Sequence, residues 1–297
     1  MVIDPSRVRF TFAALSPCAL SHSELIRTIE QHLPGWMSAQ QAARESNEWE
    51  LPSPSARAAL KVLLDRRVLR QEVLPFPHRK DQVYVLGEVS LYDVVQATNR
   101  SGYFSHLSGL YLNQLTEQIP KTFYFNVEQR ATGGGASLTQ EAIHRAFKGR
   151  PRETSNVVEH KGTRICKLNG RNTDQLGVIN SDIDEAVRPL RVSNVERTLI
   201  DATVRPNYSG GVAVVARAFE AAKDRLSVNK LTAYLKKLSY TYPYHQAIGF
   251  YLDRAGVEET RLSLLRRLPM DFDFYLTYGM RSTDYIERWR LFVPKGF

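Results

Sequence analysis

The stretch from Leu51 to Gly87 constrains the chain most, because it reads as a short basic helix followed by a basic β-hairpin. Ser53 and Ser55 can cap a helix with Ala56, Leu60, Leu63 and Leu64 on one face, while Arg57 and Lys61 project from the other. Val68–Leu74 and Gln82–Leu86 alternate as strands around a Pro-Phe-Pro-His-Arg-Lys-Asp tip. Helix plus basic hairpin is the second half of a winged helix-turn-helix. Between residues 53 and 80, seven Lys or Arg face only Asp65 and Glu72, so over half of the chain's net +9 gathers here. A helix in the major groove and a wing on phosphates need this distribution. Ser53, Ser55, Arg57, Lys61, Arg70, Arg79 and Lys80 are therefore the expected contacts to double-stranded DNA, with Arg57 and Lys61 toward the groove and Arg70, Arg79 and Lys80 toward phosphates. A helix–hairpin with a basic face also serves as a protein–protein module, and a charge run can be a solvated surface.

Upstream, Ser21 to His32 reads as a first helix, with Leu25, Ile26 and Ile29 on one stripe and Ser21 and Glu24 in capping-box spacing. Pro34-Gly35 breaks it, and Ser38 to Arg44 resembles a second helix. The order helix, helix, helix, hairpin is then complete. Arg7 and Arg9 ahead of Phe10–Leu15 imitate a signal peptide, but Asp4 and Ser16-Pro17 interrupt the pattern. No stretch reaches the roughly 18 apolar residues of a membrane span, so a soluble chain with no membrane partner is expected. Cys18 and Cys166 lack metal-ligand spacing and offer no disulfide framework, which suits a reducing cytoplasm. A pI near 9.5 favours an acidic partner such as nucleic acid.

Beyond Gly87 the basic density falls and the pattern becomes mixed α/β. Helices are expected over Leu91–Asn99 and Tyr103–Leu115, and a strand over Lys121–Val127. A glycine loop, Thr132–Ala136, leads to a helix over Leu138–Phe147 with Ser137 and Gln140 as a capping box. Asn156–His160 and Thr163–Leu168 form a hairpin around Lys161-Gly162, and a strand follows near Val187–Val192. Ser193 and Glu196 are spaced to cap the next helix, where Arg197 and Asp201 make an i,i+4 ion pair. A third long helix follows Gly210-Gly211, and helices over Ser227–Leu238 and Tyr244–Ala255 precede strands over Asp271–Tyr278 and Ile286–Val293.

The expected fold class is therefore α/β in the α+β sense. Residues 1–20 form an N-terminal extension, 21–88 a winged helix-turn-helix, 89–225 a mixed α/β domain, and 226–297 a helical region with terminal strands.

No residue set carries a strong catalytic signal. The glycine loop lacks the lysine of a phosphate-binding P-loop and no G-x-G-x-x-G follows the strand. Asp182 and Asp184, taken with Gly133–Gly135, faintly echo a nucleotidyltransferase arrangement in which paired carboxylates hold metal ions. The spacing is loose, and an acidic loop is the better expectation. His106 lies in an apolar stretch and reads as a satisfied core imidazole. The expectation is a protein that is not an enzyme, with no cofactor and no metal.

Two segments resemble a known family. Tyr103–Leu110 followed by Leu115–Pro120 is similar to the serine-alanine-leucine helix and "gLTeqiP" turn of the AbiEi antitoxins. Val192–Asp201, continued by Pro206, Gly210 and Gly211, is similar to that family's "s-x-E-R-T-L-x-D" helix start. The resemblance covers about residues 20 to 225 and includes a winged helix ahead of both motifs. Gly109 departs from a common alanine, and the wing tip reads as longer. Membership implies the antitoxin of a bacterial type IV toxin–antitoxin system for abortive infection and phage defence. Such a protein represses its own operon and opposes a nucleotidyltransferase-like toxin, with or without stable contact. Two other readings stay open: a ligand-responsive or oligomerising transcriptional regulator, and a metal-dependent nucleotidyltransferase or nuclease using Asp182 and Asp184.

Overall fold

The computed structural model describes residues 1–37, 49–130 and 138–297. The helix expected from Ser38 to Arg44 and the loop and cap from Thr132 to Ser137 lie outside the described residues. The fold is mixed α/β with several sheets, as the element pattern predicts. The chain divides into two compact units, one of Met1–Ser101 with Ser181–Leu190, the other of Gly102–Asn180 with Arg191–Phe297. The boundaries expected at residues 20, 88 and 225 thus fall differently.

The first unit begins with β1 (Val2–Ile3), α1 (Pro5–Leu15), β2 (Cys18–Ser21) and α2 (His22–Trp36). Asp4 caps α1, its Oδ1 accepting from the Ser6 amide at 2.8 Å, with Pro5 at the first helical position where no amide partner is lost. Val8 and Phe12, one turn apart, enter the same apolar cluster as Leu25, Ile29, Leu63 and Tyr84. The first twenty residues are therefore part of this core rather than an extension. The Ser21–Glu24 capping box forms as expected. The helix passes the expected stop at Pro34-Gly35 and runs to Trp36, whose buried indole packs on Phe12 at 5.6 Å and donates to Thr11 Oγ1 at 3.0 Å.

After β3 (Trp49–Glu50), which pairs with β1, come α3 (Ala56–Asp65), β4 (Arg70–Phe76), β5 (Arg79–Leu86) and α4 (Leu91–Thr98). Strands β2, β5 and β4 make one antiparallel sheet in that order. The expected seven-residue tip is in fact a two-residue connection, because Phe76 pairs with Arg79. Buried Leu74 and Phe76 extend the ladder, and Pro75 is tolerated because β4 is an edge strand. The segment Ser181–Leu190 joins this unit, with the Val187 amide donating to Asp93 at 3.2 Å.

The second unit opens with β6 (Tyr103–Phe104), α5 (His106–Leu112), β7 (Thr122–Gln129), α6 (Gln140–Lys148), β8 (Val157–His160), β9 (Thr163–Arg171), β10 (Val178–Ser181) and β11 (Leu190–Ser193). Its six-stranded sheet has the order β10-β11-β6-β7-β9-β8, with β7 parallel to β9 and β6 antiparallel to β7. The single helix expected over Tyr103–Leu115 is thus a strand followed by a shorter helix. Lys161 and Gly162 turn the β8–β9 hairpin with φ of 50° and 78°, as two-residue hairpin turns require. Thr139 caps α6.

The remaining elements are α7 (Val195–Val204), α8 (Val212–Ala222), α9 (Val228–Leu238), α10 (Tyr244–Arg254), α11 (Glu259–Arg266), β12 (Phe274–Tyr275), β13 (Thr283–Ile286) and β14 (Leu291–Pro294). Asn194, not Ser193, caps α7, accepting from the Arg197 amide at 3.0 Å. Ser193 Oγ is already engaged by Thr198 Oγ1 at 2.7 Å, and Glu196 instead accepts from the Ser227 amide. Residues on both sides of the expected break at 225 share one apolar cluster, from Leu199 and Phe219 to Leu231, Tyr251 and Trp289, so no boundary falls there.

Gly249 in α10 faces the fully buried Trp289, and a Cβ there would lie 2.1 Å from the indole ring. Gly249→Ala is expected to cost about 1–3 kcal/mol through overpacking. Gly35→Ala, inside α2 and with nothing within 4 Å of its Cβ, is expected to leave stability the same or raise it by up to about 1 kcal/mol. Thermal unfolding followed by near-UV circular dichroism checks the contrast.

Candidate nucleic-acid interface

Ser55 caps α3, its Oγ accepting from the Ala58 amide at 3.2 Å while Ser53 Oγ lies 3.0 Å from Ser55 Oγ. Ala59, Leu60 and Leu63 are buried, which turns Arg57 and Lys61 outward together, one turn apart. The expected face of α3 is therefore present and exposed.

The hairpin cations divide. Arg79 and Lys80 sit at the tip, where Arg79 Nε meets Asp81 at 3.1 Å and Lys80 makes no ion pair among the described residues. Arg70 pairs across the ladder with Val85, at the other end of β4. Six residues of strand place it roughly 20 Å from the tip. Its guanidinium donates to Gly87 O and to Glu88, both at 3.2 Å. The structure thus groups Arg79 with Lys80 but sets Arg70 apart from them.

A groove of about 460 Å³ runs beside the tip, lined by Ser21–Glu24, Arg79–Gln82 and Ala97–Arg100. The N-terminus of α2, capped by Ser21, opens into it and adds the positive end of the helix dipole to Arg79 and Lys80. Its acids are already engaged. Asp81 pairs with Arg79, and Glu24 accepts from Arg100 Nε at 2.7 Å while Arg100 also donates to Ala19 O at 2.6 Å. Arg100 and the α2 N-terminus were not legible as part of this surface, since 76 residues separate Arg100 from Glu24.

Other expected features stand apart from this surface. Asp182 and Asp184 are exposed on the Ser181–Leu190 segment, and the Gly133–Gly135 loop lies outside the described residues. Among the described residues no group of three or more His, Cys, Asp or Glu could hold a metal ion. Cys18 and Cys166 are free and buried. Among the described residues no helix is long and apolar enough to cross a membrane. His106 is buried, as expected, but begins α5 with φ of 52° instead of sitting inside a helix.

Neither a known family profile nor a curated protein matches the chain. Its fold is similar to that of the RV2827C protein from Mycobacterium tuberculosis, with a TM-score of 0.58 and 14% identity. The similarity covers 97% of this chain and 90% of the other.

Burial alone would push the Glu24 carboxyl up, but the Arg100 guanidinium and the Ser21 amide hold it below the ordinary range. A depressed carboxyl stabilises the fold above its unfolded pKa, and that stabilisation is lost as pH falls through the folded value. Arg100→Gln is expected to melt below the parent at neutral pH, with the gap narrowing as pH falls through the depressed value of the parent's Glu24. Melting temperatures from pH 7 to pH 3 check this, and a gap independent of pH would assign the effect to packing.

Proposed function

We propose that the chain is a DNA-binding antitoxin of the type IV, abortive-infection class, which represses its own operon through the first unit and is not an enzyme. The observation that carries the DNA-binding part is the exposure of Arg57 and Lys61 on α3 together with Arg79 and Lys80 at the tip of the next hairpin. Among the described residues the order α1, β2, α2, β3, α3, β4, β5, with β2 completing the sheet, agrees with a winged helix-turn-helix. In this reading α3 enters the major groove, the tip meets phosphates, and the amides opening α2 offer a further phosphate contact. Arg70, tied to Glu88, contributes little.

Support for the antitoxin part comes from the two family-like segments, which pack on each other in the second unit. Asn113 Nδ2, at the end of α5, donates to Gly109 O at 2.7 Å and to Ser193 O at 2.9 Å, ahead of α7. Gly109 faces this junction, where a Cβ would come within 3.1 Å of Ser193 and Thr198. A glycine in place of the family's alanine therefore accompanies an unusually close approach of α5 to α7. The opposed toxin is of nucleotidyltransferase type, and its rescue by co-expression is the test of this part.

Operator binding is measured by fluorescence anisotropy on DNA from upstream of the gene. Arg79→Ala with Lys80→Ala should weaken binding to all sequences and flatten the dependence of log K on log salt by about 0.9 per lost phosphate contact. Arg57→Ala should instead relax sequence preference, by about 1–3 kcal/mol at the base pair it reads. An unchanged salt slope in the double variant would remove the hairpin tip from the interface.

A further inference from the structure

The second unit contains a cavity of about 370 Å³ that DNA binding leaves unused. Its inner wall includes Arg197 and Asp201, which form a buried ion pair at 2.9 Å. Arg197 is engaged through all three nitrogens: besides Asp201 it donates to Tyr103 Oη at 3.1 Å, Thr173 Oγ1 at 3.1 Å and Leu176 O at 2.8 Å. Asp201, only 6% exposed, leaves Oδ2 with no hydrogen-bond partner among the described residues. A buried carboxylate oxygen without a donor is costly, and a ligand hydroxyl or amine would satisfy it.

His106 supplies a second unspent group. Its φ of 52° lies in the left-handed region, a conformation a non-glycine residue holds only when its surroundings enforce it. Nδ1 is shared with Ser105 Oγ at 2.8 Å, which leaves Nε2 for the cavity it lines. Burial pushes its pKa down to about 4, so the imidazole is neutral near pH 7. The ring meets Tyr208 edge-on at 5.6 Å, forming an aromatic wall.

The remaining charge is positive. Arg152, Arg171 and Arg205 also line the cavity, and Asp201, already paired, is the sole carboxylate among its lining residues. Arg171 donates to Leu238 O, while Arg152 and Arg205 make no side-chain hydrogen bond or ion pair among the described residues. Guanidinium groups lining one cavity suit a phosphate. The volume falls in the range of small-ligand pockets.

We propose that this cavity binds a nucleoside monophosphate, with the phosphate on Arg152, Arg171 and Arg205, the base against Tyr208 and His106, and a sugar hydroxyl or base amine donating to Asp201 Oδ2. The site lies in the second unit and is independent of the DNA-binding reading. The chain would then carry a small-molecule site in addition to its polyanion surface.

Isothermal titration of the full chain with AMP, CMP, adenosine, ribose 5-phosphate and inorganic phosphate tests the assignment. Saturable nucleotide binding is expected, with the nucleoside and the two phosphates at least about tenfold weaker. Arg152→Gln with Arg205→Gln should reduce nucleotide affinity by at least about tenfold at an unchanged melting temperature. Should that pair unfold the protein, the exposed Arg152→Gln alone serves, with a weaker loss expected. Arg79→Ala with Lys80→Ala should leave nucleotide binding intact. Absence of saturable binding at millimolar nucleotide would overturn the proposal, as would equal affinity for ribose 5-phosphate, or loss of binding in the Arg79/Lys80 variant but not in the Arg152/Arg205 variant.

Discussion

The buried Arg197–Asp201 pair is the interaction on which the second unit depends. Both side chains are almost wholly removed from water, so each would be intolerable without the other. Burial tends to push the Arg197 pKa down, and Asp201 and Tyr103 more than reverse this, so the guanidinium stays charged. Its remaining donors then have to be satisfied by groups that arrive from elsewhere in the chain: Tyr103 on β6 and Thr173 and Leu176 on the connection after β9. Tyr103 is in turn bonded by Asn126 on β7. One ion pair on α7 therefore fixes the helix against three neighbouring parts of the sheet. Removing either partner alone would leave an uncompensated charge, a defect of about 3–5 kcal/mol.

Close backbone approach around this pair is the geometric counterpart of its chemistry. Gly177 takes φ of 75° beside it, where a Cβ would lie 2.8 Å from Arg197 Cβ. Gly170 faces Asn126 in the same way, with a Cβ 2.6 Å from its amide oxygen. These two glycines let the β9–β10 connection and the β7–β9 ladder reach the polar network without displacing it. A side chain at Gly170 would have to displace the Asn126 amide, and one at Gly177 the stem of Arg197.

Local patterns in the sequence are legible where the controlling interaction is local. The Ser21–Glu24 box, the Lys161-Gly162 turn, the Arg197–Asp201 spacing and the outward face of Arg57 and Lys61 each depend on residues within a turn of one another. Reading fails where a distant group intervenes. Ser193 has the spacing of a cap, but Thr198 and Phe104 occupy its hydroxyl, and Asn194 takes the role. Residues 1–20 resemble an extension because α1 buries only Val8 and Phe12 while Phe10 is 80% exposed, which blurs its periodicity. Arg70 belongs by composition with the other cations, yet strand register carries it to the far end of the hairpin. The division of the chain is hidden for the same reason, since Ser181–Leu190 joins the first unit through contacts remote in sequence.

The two positive surfaces are built on opposite physical terms. Around α3 and the hairpin tip the cations are exposed, Arg79 to 82% even with Asp81 beside it. Such charges suit a polyanion that presents phosphates at regular intervals, where the energy would come from released counterions rather than from fixed geometry. It is screened over a Debye length of about 8 Å at physiological salt. In the second unit the cations border a concave space whose inner wall is a neutral ion pair and aromatic rings. There a small anion would displace little salt, and fixed donors rather than counterion release would set its affinity. On these proposals, positive charge would serve a salt-sensitive surface on one unit and a geometry-sensitive pocket on the other.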